Sequence, residues 1–244
     1  RELEMQAIRI RMDVIKGTFN AKSGHPGGSL SVSDIMAYLY FHKMNVDPQN
    51  PDWEDRDRFV LSKGHTAPAL YGALALRGFF PEEEIERLRK PTSFLQGHPS
   101  LRLTPGVDMS TGSLGQGVSC AVGMALAAKL RNKDYRVYTL LGDGEIEEGQ
   151  VWEAAMFATH QKIDNLIAMI DWNGQLYETA NLVNEVDIVA TRGTSSLFVS
   201  CKIGQLSRSD VDELYTLAAR FGGLGTHAFL LSVVSLAETQ PTVY

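Results

Sequence analysis

The chain has 244 residues, 44% apolar and 21% charged, an ordinary globular composition with enough length to bury a large core. Its net charge of −6 offers no footprint for nucleic acid or an anionic membrane, so any phosphate binding must be local. Cys120 and Cys201 are too few and too far apart for a disulfide framework and match no metal-ligand spacing. No apolar run approaches the roughly 18 residues of a membrane span, and the regularly charged start does not read as a secretory signal, which predicts a cytoplasmic protein.

Residues 2–20 place Met5, Ile8, Met12, Ile15 and Phe19 at spacings of three and four, predicting an amphipathic helix whose other face carries Glu2, Arg9 and Lys16. Gly24-His25-Pro26-Gly27-Gly28 follows, where Gly and Pro on both sides of His25 forbid regular structure and hold the ring in a shaped loop; taken alone, such a histidine is more often a surface residue. Residues 33–41 read as a second helix closed by the turn cluster 47–51, with His42 structural. Asp55-Arg56-Asp57-Arg58 is a charged approach to a short buried strand, Phe59-Val60-Leu61, after which Ser62-Lys63-Gly64-His65 turns into a helix from Ala67 to Arg77. His65 either faces the ligand rim of a parallel sheet or caps that helix. Residues 82–90 run from acidic to basic, as a short helix with a solvated face would. Gln96-Gly97-His98-Pro99 is irregular. Thr111-Gly112-Ser113-Leu114-Gly115-Gln116-Gly117 then opens a helix of small residues, which predicts close helix packing, a ligand against the backbone, or both.

The stretch from Val137 to Asn173 organises the rest. A buried strand, Val137–Leu141, breaks at Gly142-Asp143-Gly144 and leaves a carboxylate at its C-terminal end, where open α/β sheets bind ligands. A helix over 148–159, with Trp152, Ala155, Met156 and Thr159 on one stripe, leads to a second strand over 165–171 and then to Asn173. Such a βαβ unit brings the amide of Asn173 beside Asp143, and with a nearby backbone carbonyl these make a hard oxygen set suited to Mg²⁺ and a diphosphate. Asp143, Glu145, Glu147 and Glu148 crowd a helix start that would otherwise attract phosphate, so a bound cation is needed to reconcile them. Each turn taken alone could be structural; the pair at this spacing is the stronger sign.

The Gly-Asp-Gly and Asn pair resembles the thiamine diphosphate motif. Gly24-His25-Pro26-Gly27-Gly28-Ser29-Leu30-Ser31, Leu61-Ser62-Lys63-Gly64-His65, Gln96-Gly97-His98-Pro99 and Thr111–Gly117 more narrowly resemble transketolase, and most of all the separate N-terminal subunit of split transketolases. The resemblance is dense over about residues 5–175. It implies thiamine diphosphate with Mg²⁺ (Ca²⁺ or Mn²⁺ as substitutes), and transfer of a two-carbon ketol unit from a ketose phosphate to an aldose phosphate, as in the pentose phosphate pathway. It further implies His25 and His98 on substrate; His65, Gly112, Leu114, Gly142, Asp143, Gly144 and Asn173 on cofactor; and Asp143, Asn173 and Gln175 on metal. Glu148 and Glu153 match glutamates buried between paired active sites. The glutamate that activates the cofactor belongs to a pyrimidine-binding domain for which this length leaves no room, so a partner chain must supply it, in a heterotetramer or another symmetric oligomer.

Beyond residue 178 the resemblance fails. Ser209 with Asp212 could cap a helix ending at Phe221-Gly222-Gly223, a further strand could follow from His227, and His227 itself is read as structural. With no repeat or linker, residues 1–244 read as one domain, poorly matched over 180–244: a three-layer α/β fold with a mostly parallel sheet and helices on both faces. Alternatives are a 1-deoxyxylulose-5-phosphate synthase-like or keto-acid dehydrogenase-like subunit, or a non-catalytic partner that keeps the fold.

Overall fold

The computed structural model describes residues 1–172 and the backbones of three further strands at 188–192, 195–203 and 227–233. In chain order the elements are α1 (Glu2–Ala21), α2 (Pro26–Ser31), α3 (Ser33–Tyr38), β1 (Arg58–Leu61), α4 (Ala67–Arg77), α5 (Gln116–Leu130), β2 (Val137–Gly142), α6 (Gly149–His160), β3 (Leu166–Asp171), β4 (Ile188–Arg192), β5 (Ser195–Ile203) and β6 (His227–Val233). The strands lie side by side in that order. β1, β2 and β3 run parallel, β4 is antiparallel to both of its neighbours, and β5 and β6 are parallel to each other. The mostly parallel α/β sheet expected from the sequence is therefore present.

Strand alternation sorts the core into two layers. Phe59, Leu61, Tyr138, Leu140 and Met169 face one side, where they pack with α1, α3 and α4. Val60, Val137, Leu141 and Leu166 face the other and meet Val118, Ala121 and Ala125 of α5 and Val151 and Ala154 of α6. Because both faces are covered, β2 is buried along its whole length, and its sequence is continuously apolar but for Thr139. At the opposite end from the site, Asp57 accepts from the backbone N–H groups of Arg136 (2.7 Å) and Asn45 (2.9 Å), while buried Asp108 pairs with Arg56 and accepts from Phe59 N (2.7 Å). The charged approach to β1 is thus a buried fastening.

Several elements depart from expectation. α1 buries Ala7, Ile10, Val14, Gly17 and Thr18, whereas Met5, Ile8, Met12, Ile15 and Phe19 are 46–78% exposed on the described residues. The choice of face follows from distance: a Cβ on Gly17 would stand 3.3 Å from Ile85, and one on Gly72 of α4 3.3 Å from Asp13, so only the face with small residues can approach its neighbours so closely. Burying Ile10 and Val14 there contributes about 1.5–3 kcal/mol each. On α6, Val151 and Ala154 are buried, and the stripe of Trp152, Ala155, Met156 and Thr159 faces outward. Residues 82–87 form a 3₁₀ segment that is no free solvated face: Ile85 is buried, Glu82 pairs with Arg9 and Glu86 with Lys16. The second helix ends at Tyr38 and widens into a π turn over Leu39–Lys43, where the His42 ring packs tilted against Tyr38 with centroids 5.3 Å apart. The predicted helix at 209–221 lies outside the described residues; the strand expected from His227 is β6.

α5 comes very close to β1. A Cβ on Gly117 would fall 2.6 Å from Ser62 Cα, whereas one on Gly123, two turns further along, would meet nothing within 4 Å. Tight packing is one of the two roles anticipated for the small-residue helix.

Candidate active site

Because β1, β2 and β3 are parallel, the segments leaving their C-terminal ends share one edge of the sheet. They are Ser62–His65, Asp143–Glu147 and the chain beyond Asp171. β2 crosses to β3 through α6, which aligns Gly142 with Asp171, and the Asp143 N–H donates to Asp171 O at 3.1 Å. Asp143 is 5% exposed and its Oδ1 accepts from Gly144 N at 2.9 Å, holding the carboxylate at the turn. Asn173 and Gln175, the other two expected metal ligands, lie outside the described residues.

The three expected histidines converge on this edge. His25, at the start of α2, meets His65 edge to face with ring centroids 5.1 Å apart. His98 packs against Gly112: a Cβ there would stand 3.1 Å from its ring. Burial and then the neighbouring His25, Lys63 and His98 push the His65 pKa down from 6.5 to about 4. The pKa of His98 is lowered too, by desolvation and then by Arg89 and His25. Both rings are therefore neutral near pH 7 and can donate and accept hydrogen bonds.

The Gly112–Gly117 turn closes over the β1 end. A Cβ on Gly64 would lie 2.7 Å from Thr111 Oγ1 and 2.8 Å from Gly112 N, so the two backbones touch where only glycine fits. Thr111 Oγ1 is buried and has no hydrogen-bond partner among the described residues. Gly115 adopts φ +79, a left-handed conformation that glycine takes without steric cost, and the chain turns there into α5, with Leu114 half-buried beside it.

Two buried charged groups at this edge escaped the sequence reading. Lys63, 2% exposed, pairs with Asp171 and lies 3.4 Å from the Gly28 carbonyl, while Ser31 Oγ donates to the other Asp171 oxygen at 2.6 Å. Burial lowers the Lys63 pKa, opposed by Asp171 and then by Asp143 and Glu145. A lysine directly after one buried strand, with an aspartate closing another on the same edge, was the available signal. Glu145 is the second. It does not join Glu147 and Glu148 in crowding the turn from outside, as its position in the sequence suggested. It points inward, 2% exposed, where its carboxylate accepts from Ser62 Oγ, Gly115 N (2.9 Å) and Gly142 N (3.1 Å). Burial raises its pKa, and those three donors oppose the rise.

Among the described residues no three His, Cys, Asp or Glu side chains gather as a metal cluster. The residues present fit a cation and a diphosphate: a fixed carboxylate at Asp143, a buried Thr111 hydroxyl with no hydrogen-bond partner among the described residues, and a neutral His65. Glu148, the residue before α6, stands against the site turn, where a Cβ on Gly115 would lie 3.0 Å from its Cβ, and Glu153 lies within α6; both are exposed, as are Trp152, Met156 and Phe157.

The family model for the transketolase thiamine diphosphate binding domain matches residues 2–214. The chain belongs to that family. Over 172 residues, 70% of the chain and 62% of the relative, this transketolase-family chain is 52% identical to the 6-deoxy-6-sulfo-D-fructose transketolase subunit SqwG of Clostridium sp. (strain MSTE9). It is 49% identical over 193 residues to the transketolase of Pongo abelii, covering 78% of the chain and 31% of that protein. The chain thus spans less than two thirds of either relative. Its fold matches that of transketolase from Leishmania mexicana with a TM-score of 0.69 at 29% identity, covering 94% of the chain and 36% of that structure. No helix among the described residues is long and apolar enough to cross a membrane.

Proposed function

We propose that this chain is the diphosphate- and metal-binding half of a transketolase divided between two chains. With a pyrimidine-domain subunit it transfers a two-carbon ketol unit between sugar phosphates. The observation that carries this reading is the gathering of His25, His65, His98, Asp143 and the Gly112–Gly117 turn on the C-terminal edge of three parallel strands. Mg²⁺ would be held by Asp143 with Asn173 and the Gln175 carbonyl, and the cofactor by His65, Gly112, Leu114 and Gly142–Gly144. Thiamine diphosphate, when bound, supplies the electron sink that carries the two-carbon unit. His25 and His98, both more exposed than His65, would hold the sugar's hydroxyl oxygens, and a neutral His98 can take or return a hydroxyl proton. The relative from Clostridium is itself named a transketolase subunit, which favours division between chains. The exposed face of α6, with Glu153, Trp152 and Met156, and Glu148 just before it, is the surface that a second subunit would cover.

Calorimetry with thiamine diphosphate and Mg²⁺ tests the binding half. Mixing the chain with the pyrimidine-domain subunit of a split transketolase tests the rest: ketol transfer should appear that neither chain shows alone, in an assembly whose mass indicates symmetry. Full activity from the 244-residue chain by itself would refute the two-chain reading.

A further inference from the structure

We propose that Glu145 is a positioning residue of the cofactor edge, and this rests on the function proposed above. Among the described residues its carboxylate joins three stretches at this edge: the end of β1, the end of β2 and the turn before α5. Oε1 accepts from Ser62, at the end of β1, and from Gly115 N in the turn before α5; Oε2 accepts from Gly142 N, at the end of β2. Ser62 Oγ in turn accepts from Val118 N at 3.1 Å, which extends the clasp into the first turn of α5.

Each anchored segment carries a residue assigned above to the ligand. His65 follows Ser62 by three positions, Leu114 precedes Gly115, and Asp143 follows Gly142. Glu145 itself is 2% exposed and so does not meet ligand, yet it sets the distance between Leu114, Asp143 and the His65 turn. Backbone N–H groups supply two of its three donors, so the register of main chain against main chain depends on this side chain. An amide cannot replace it. A glutamine has one acceptor oxygen, and its –NH₂ would face a backbone N–H, setting donor against donor in a dry site.

The test compares the full chain, Glu145→Gln and Ser62→Ala, the last being a smaller change that removes one donor and leaves both backbone donors in place. The first readout is amide hydrogen exchange of the ligand-free proteins. Exchange at Gly115 and Gly142 should accelerate at least roughly tenfold in Glu145→Gln and by less in Ser62→Ala, with the α1 and α4 amides unchanged. The second is the thiamine diphosphate dissociation constant with Mg²⁺, expected to rise at least roughly tenfold in Glu145→Gln. At saturating cofactor, with the partner chain, KM for the sugar phosphates should stay at the parental value. Unchanged protection at Gly115 and Gly142, or acceleration spread evenly over the whole chain, overturns the positioning role. A parent chain that binds no thiamine diphosphate overturns the functional reading instead, and the exchange data then still report on the clasp. If Glu145→Gln does not fold, Ser62→Ala decides: no local acceleration in it counts against the proposal.

Discussion

Replacing Lys63 with methionine probes the centre of the site edge. Methionine keeps most of the aliphatic stem that lies along Gly142 and removes the ammonium paired with Asp171, whose side chain is only 5% exposed. Removing one partner of a buried ion pair costs about 3–5 kcal/mol. Ser31 Oγ still donates to Asp171 at 2.6 Å, which places the expected loss near the lower end, about 3 kcal/mol. With a urea slope of roughly 1–3 kcal/mol/M, the unfolding midpoint should fall by about 1 M or more. Adding Asp171→Asn to the Lys63→Met chain removes the buried carboxylate's charge and should restore most of the loss, so the cycle returns a coupling of about 2 kcal/mol or more. A single variant within about 0.5 kcal/mol of the parent, or a double variant no better than the single, would refute the reasoning.

Three further outcomes follow from the same geometry. Asp143→Ala should abolish Mg²⁺-dependent cofactor binding without changing the far-UV circular dichroism; unchanged affinity removes Asp143 from the metal set. His98→Ala should keep cofactor affinity and lose turnover by roughly 10²-fold or more, and full activity would return His98 to a structural role. Asp13 is buried on α1, Oδ2 lacks a hydrogen-bond partner among the described residues, and burial followed by Glu82 raises its pKa from 3.8 to about 6. The stability tied to its proton is complete below 3.8 and is lost as pH rises through about 6, so Asp13→Asn should stabilise the protein by about 1–2 kcal/mol at neutral pH and by much less near pH 4. Equal gains at both values, read from denaturation midpoints, would contradict that account.

The edge carrying the site was legible because its signals are local. The apolar run of β2, the Gly-Asp-Gly break and the second strand ending at Asp171 need only alternation and turn chemistry to be read, and the structure confirms their pairing. The buried face of α1 was not legible. Its large apolar residues and its small ones both recur at helical spacing, and only the proximity of α4 and of the 82–87 segment selects Ala7, Ile10, Val14 and Gly17. α6 misled in the same way, since Trp152 and Met156 outweigh Val151 and Ala154 in any count of hydrophobicity. Lys63 and Glu145 were missed for another reason. The partner that makes burial tolerable stands 108 residues away for Lys63, and for Glu145 the Ser62 hydroxyl stands 83 residues away, so no window along the chain contains both halves.

The contact between α5 and β1 divides the glycines of one helix into two kinds. At Gly117 a methyl group would press on the Ser62 main chain and lever the helix outward, carrying Leu114 with it, so sequence drift at that position is closed. Gly123 is exposed and has open space, and alanine there should raise helix stability by about 1 kcal/mol. An engineer seeking a hardier protein can begin at the second glycine and should leave the first alone.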